Sequence, residues 1–322
     1  MKFIVSALLG LGALSGCTSS RSTSPQTATV ASGAASASLT SSLTSSLTST
    51  STSVKPSPRL DSVEGIAAEL TNAERGIRDD SSSAAQIDAW GRRQQRAYHA
   101  LADHPEWDDA VRALLALDAV APFLLNVQAR RAVVDHAATK PQSPLPGTFP
   151  AWKIVQPLSV ATLLGFYREA QAATGVPWQY LAAINVVETR TGRIVGVSSS
   201  GAVGPMQFLP TTWASCCTGD VLDPHDAIMG AAVYLVARGA PGDMRRALFG
   251  YNPNSGYVDA VDAYARNMIA DERAFNGYHA WEVYAGSTAG TVRLPVGYAP
   301  AQPENAAAYV VAHPENVVPL SD

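Results

Sequence analysis

A mainly α-helical protein is predicted by three features of the sequence. Apolar residues recur at the three- and four-residue spacing of a helix face, as in Val63, Ile66, Ala67 and Leu70 and again in Leu181, Ile184 and Val187. Pro177, Pro210 and Pro224 stand where a first helical turn tolerates proline, and Asp223 precedes the last of them as an N-cap. Strand-like sequence enters only near the end, at TVRLPV (291–296).

The elements follow in chain order. Residues 1–17, MKFIVSALLGLGALSGC, hold one lysine, an apolar stretch and small residues up to Cys17. This is a secretory signal, too short for a permanent membrane span. Leu14, Ser15, Gly16 and Cys17 resemble the lipobox of bacterial lipoproteins. That resemblance implies a signal peptide of residues 1–16, diacylation of Cys17 and export to the outer face of a bacterial membrane, held there by lipid. An ordinary signal followed by an unmodified cysteine is the alternative. Residues 17–58 are otherwise almost entirely Ser, Thr and Ala, with too little apolar bulk to offset the entropy of ordering, and read as a tether.

Residues 59–140 carry the first helical pattern, about three helices with a break at Asp103-His104-Pro105. Trp90, Tyr98 and Trp107 read as core aromatics more readily than as a sugar groove. A proline-rich linker, 141–157, separates this segment from a domain at 158–281 with helices expected at 160–174, 178–188, 210–215, 224–238, 243–251 and 256–274. Residues 282–322 read as an irregular tail.

Composition narrows the function. The net charge of −4 and a charged fraction of 16% leave no basic face for nucleic acid. His99, His104 and His136 lack metal-ligand spacing, so neither a metal nor another cofactor is expected. Beyond Cys17 there are only Cys216 and Cys217, adjacent in sequence, either a vicinal disulfide or two thiols.

Chemistry concentrates at 186–213. Glu188 lies one turn beyond Ile184, so its carboxyl emerges beside a buried face. Apolar walls raise a carboxyl's pKa because desolvation disfavours the charged form, which suits a general acid. A Ser/Gly loop follows, in which Gly201 and Gly204 permit close backbone approach while Ser198 and Gln207 offer hydrogen bonds. Met206 and Phe208 flank the glutamine with apolar contact.

Glu188, then GAVGPMQFLPTTW, DPHDAIMGAAVYL and ALFGYNPNSGYVDAV, resemble the lytic transglycosylases of bacterial cell walls, closest to the membrane-bound type B-like subgroup. The resemblance spans about 175–268 and implies a lysozyme-like catalytic domain. It also implies cleavage of the MurNAc-GlcNAc β-1,4 bond in peptidoglycan glycan strands by a single carboxyl, with the muramic acid 6-hydroxyl as nucleophile. Glu188 is then the acid and, afterwards, the base. Ser198 and Gln207 hold the N-acetyl group or position the glutamate. Tyr251 and Asn252 match the family's Tyr-Asn pair, the tyrosine supporting Glu188 by a hydrogen bond. Met206 and Phe208 contact sugar or pack beneath it, and Tyr257 belongs either to groove or to core. Thr189 replaces the usual serine after the glutamate and keeps a hydroxyl.

Two rivals stand beside this reading. A lysozyme-type hydrolase would need a second carboxylate, for which Asp220, Asp223 and Asp226 are the nearby acids after the loop, although the last two look like helix-start residues. A catalytically inactive peptidoglycan-binding lipoprotein would keep the groove without turnover. The helices of 59–140 are expected to dock a wall-synthesis partner, extend the groove or brace the domain.

Overall fold

Ser62 accepts the backbone N–H of Gly65 and starts α1 (Val63–Arg78). Ser83 and Gln86 form a reciprocal capping box at the start of α2 (Ala84–Ala102). The expected break at 103–105 is a single 3-10 turn, Pro105–Trp107, leading into α3 (Asp108–Leu114) and α4 (Leu117–Ala138). The computed structural model describes residues 59–139 and 144–318. The signal peptide, Cys17 and the tether lie outside these residues.

The second part of the chain follows the predicted helices closely. α5 (Val160–Thr174) opens on Ser159 and closes on left-handed Gly175, and α6 (Trp178–Thr189) begins directly after Pro177. α7 (Pro210–Cys216), α8 (Pro224–Val236, capped by Asp223), α9 (Met244–Tyr251) and α10 (Ser255–Ala270) come next, then α11 (Ala274–His279). The stretch expected to be irregular is ordered: β4 (Val283–Ser287) and β5 (Gly290–Leu294) form an antiparallel hairpin, and α12 (Ala306–Ala312) follows β6 (Glu304–Asn305). The linker carries β1 (Thr148–Phe149), paired with β6, and β2 (Lys153–Ile154), paired with β3 (Ile194–Val195). These short pairs enclose a side core of Phe149, Trp152, Val292, Leu294 and Tyr309.

The main core surrounds α6, which is buried on nearly every side. The N-terminal helices have a cluster of their own around Ile66, Leu70, Tyr98 and Phe123. They nevertheless pack directly on the rest. A Cβ at Gly256 of α10 would stand 2.4 Å from the Ala132 carbonyl of α4, and one at Gly91 of α2 would stand 2.6 Å from the Gly277 carbonyl of α11. Both crossings need the missing side chain. Buried hydrogen bonds join the same surfaces: Trp281 Nε1 donates to Gln94 at 3.0 Å, and Asn267 donates to the Tyr278 hydroxyl, which donates to Asn126. Tyr98 is core, as expected; Trp90 lies under the Arg93 guanidinium and Trp107 stacks on His104.

Candidate active site

Glu188 occupies the penultimate position of α6, one turn after buried Ile184. Its carboxyl is closely surrounded by protein while the residue keeps part of its surface open. Burial pushes its pKa up to about 7, and a hydrogen-bonding interaction with Tyr257 pulls the other way. Among the described residues no carboxylate contributes to that shift.

Of its two expected places, groove or core, Tyr257 takes the core, within the main cluster. It is fully buried on α10, and its hydroxyl is pushed far up by burial first and then by Glu188. No described group meets that hydroxyl at full hydrogen-bond geometry, so Glu188 acts on it at the margin of a bond. Tyr251 stacks parallel to Tyr257, ring centres 6.4 Å apart. Its hydroxyl donates to the Met206 carbonyl at 2.5 Å, where a bond to Glu188 was expected. The physical reason is position: the loop carbonyl lies in front of the hydroxyl, and Glu188 reaches Tyr251 only through its field.

The loop is fixed to α6 by one polar network. Thr189 Oγ1 donates to the Pro205 carbonyl at 2.7 Å and accepts from Gly192 N at 3.0 Å. Asn185 donates to the same carbonyl at 2.8 Å and accepts from Tyr167 at 2.6 Å. The hydroxyl retained at Thr189 therefore orients the loop. Sequence reading missed Asn185 and Tyr167; a fully buried asparagine inside an otherwise apolar helix was the available signal.

Val203 and Phe208 exchange backbone hydrogen bonds and close the turn between them. Gly204 has φ +76°, and a Cβ there would lie 2.0 Å from the Val221 carbonyl. Gln207 has φ +50°, and its side chain donates to Gly204 O at 3.0 Å. Ser198 Oγ accepts from Ala202 N at 3.0 Å, holding the loop's other end. Met206 and Phe208 are buried, so they pack beneath the loop; Phe208 meets Trp213, Tyr234 and Tyr251 edge to face. Asn252 caps α9 at the end of the Tyr-Asn pair.

The three aspartates are engaged locally. Asp220 accepts from Leu222 N, Asp223 caps α8, and Asp226 accepts from Asp220 N beside His225. Asp223, His225 and Asp226 place possible metal-ligand atoms within 4.8 Å of one another, but these caps and the His225–Glu169 pair already use them. Cys216 and Cys217 form a disulfide at the end of α7.

Residues 166–273 match the family model described as the transglycosylase SLT domain. The chain thus carries an SLT transglycosylase domain, lysozyme-like and mainly α, preceded by additional helices. No curated protein and no solved structure matches the chain.

Proposed function

We propose that this protein is a peptidoglycan lytic transglycosylase that cleaves the MurNAc-GlcNAc β-1,4 bond during wall remodelling. One observation carries the proposal: burial pushes the Glu188 pKa up to about 7, with no second carboxylate among the described residues acting on it. At neutral pH a substantial fraction is protonated. Glu188 gives its proton to the glycosidic oxygen as the bond from the muramic anomeric carbon breaks. The resulting carboxylate then takes the proton from the 6-hydroxyl of the same sugar as that oxygen bonds to the anomeric carbon. Glu188 ends protonated, no water is consumed, and the product ends in 1,6-anhydro-MurNAc. An inverting hydrolase would instead need a partner carboxylate roughly 6.5–9.5 Å away to activate water.

Mass spectrometry of fragments released from purified peptidoglycan by the protein lacking residues 1–58 tests this. Anhydro ends, lost with Glu188→Gln, are expected. Reducing ends would overturn it in favour of hydrolysis, and binding without release would favour the inactive lipoprotein. The lipid anchor at Cys17 is part of the same proposal. Cys17→Ala should free the protein from salt-washed membranes, and retention there would sink the anchor.

A further inference from the structure

Three aromatics of the N-terminal helices, Tyr98, Phe123 and Trp107, join the local core, and Trp90 of α2 does not. Half-buried Trp90 instead helps to line an open cleft of about 490 Å³ where α1 gives way to α2. Asn72, Arg75 and Asp79 line it from the α1 side, Ser82 from the connection, and Gln86 with Trp90 from α2. The volume falls within the roughly 300–1,000 Å³ of small-ligand sites. A Cβ at Gly76, inside α1, would stand 2.2 Å from Trp90 Nε1 and 2.3 Å from its Cδ1, so the indole lies directly on the helix backbone. Glycine is unfavourable inside a helix, and here it makes room for the ring. Arg93, held by Glu69 at 2.5 and 2.6 Å, packs 4.3 Å from the ring centre and fixes it further.

Some polar groups of the cleft are already engaged. Arg75 Nε and Nη2 donate to Asp118 at 2.8 and 3.1 Å, and Asp79 Oδ1 accepts from Ser81 N and Oγ at 2.9 and 2.7 Å. Gln86 Oε1 accepts from Ser83. Among the described residues nothing pairs with the Asn72 amide, Gln86 Nε2, Ser82 Oγ or the Trp90 Nε1–H, and that indole nitrogen is open to solvent. The cleft thus offers amide, hydroxyl and indole hydrogen-bonding groups around one aromatic ring. Its one cation is paired and its one anion would oppose a phosphate or carboxylate. A neutral ligand rich in hydroxyls and carrying an acyl amide fits that chemistry.

We propose that the Trp90 cleft is a second glycan-binding site, separate from Glu188, that holds an N-acetylhexosamine of a peptidoglycan strand. The substrate class rests on the function proposed above. Placement keeps the two sites apart. Arg78, at the end of α1, pairs with Asp271, the C-cap of α10, at 3.3 Å. Tyr257, at Glu188, lies on the first turn of α10, so roughly 20 Å of helix separates the two ends. A strand held at the cleft stays with the protein while Glu188 works elsewhere on the glycan.

NMR of the six tryptophan indole N–H groups provides the test. The protein lacking residues 1–58 keeps every described residue, and Glu188→Gln stops cleavage during the titration. Trp90→Phe assigns the Trp90 signal. The probes are a stem-free GlcNAc-MurNAc oligosaccharide and a maltooligosaccharide of equal length. The Trp90 indole signal should shift saturably with the first and not with the second. Asn72→Ala, at an exposed position, should weaken that titration roughly fivefold, the ordinary worth of one hydrogen bond. An unmoved Trp90 signal, an equal response to both sugars, or an unchanged titration with Asn72→Ala overturns the site. Binding at Trp90 needs no cleavage, so the two proposals fail separately. A saturable Trp90 shift in a protein whose Glu188 form yields reducing ends leaves the cleft and removes the transglycosylase; anhydro products with an unmoved Trp90 do the reverse.

Discussion

The Tyr251 hydroxyl donates to the backbone carbonyl of Met206 at 2.5 Å, joining the end of α9 to the loop after Glu188. Tyr251→Phe leaves that carbonyl without its donor. A loss of about 1–3 kcal/mol is expected, measured as a lowered denaturant midpoint. The released loop should also reduce kcat. Unchanged stability and rate would mean that the bond does not hold the loop.

Glu188→Gln should abolish turnover in a folded protein, and its stability advantage should depend on pH. The folded carboxyl titrates near 7, above its ordinary value of 4.5. Between those values the native state holds more protons than the unfolded state, so wild-type stability falls as pH rises through that window. Glutamine removes that loss, amounting to at most about 3 kcal/mol by linkage. Thermal midpoints of the two proteins at pH 4 and pH 8 should diverge toward the higher pH. A constant difference would refute the raised pKa.

Tyr257→Phe removes the interaction that lowers the Glu188 pKa. The basic limb of the kcat/KM profile should therefore move to higher pH while stability changes little, since no other described group bonds that hydroxyl. A limb that stays in place would detach Tyr257 from the acid.

Gly204→Ala combines a positive φ with a Cβ 2.0 Å from the Val221 carbonyl. Destabilisation of at least about 2 kcal/mol is expected, with activity falling as the loop shifts. A crystal structure of the variant with the loop unmoved would contradict this account.

Helix extents were legible because their signals are local. Pro177, Pro210 and Asp223-Pro224 mark the beginnings of α6, α7 and α8, and Gly175 marks the end of α5. Glu188 stood out as a lone acid on an apolar helix, and the structure places it beside Tyr257. Which tyrosine would face it was not legible, because that depends on how α10 crosses α6. The order after residue 282 was equally hidden: all five residues of β4 are buried, so the strand lacks alternation. Its cover comes from residues such as Phe149 and Tyr309, remote in sequence.

The close approach of α4 to α10 at Gly256 and Ala132 also bears on how this sequence can be cut and recombined. The stretch 166–273 is not a portable cassette. Excised, it would carry Gly256 with an uncovered backbone, Asn267 without Tyr278, and Trp281 would be lost from beside Tyr264. Moving this domain onto another scaffold therefore means carrying along the N-terminal helices and residues 274–281 that cover it.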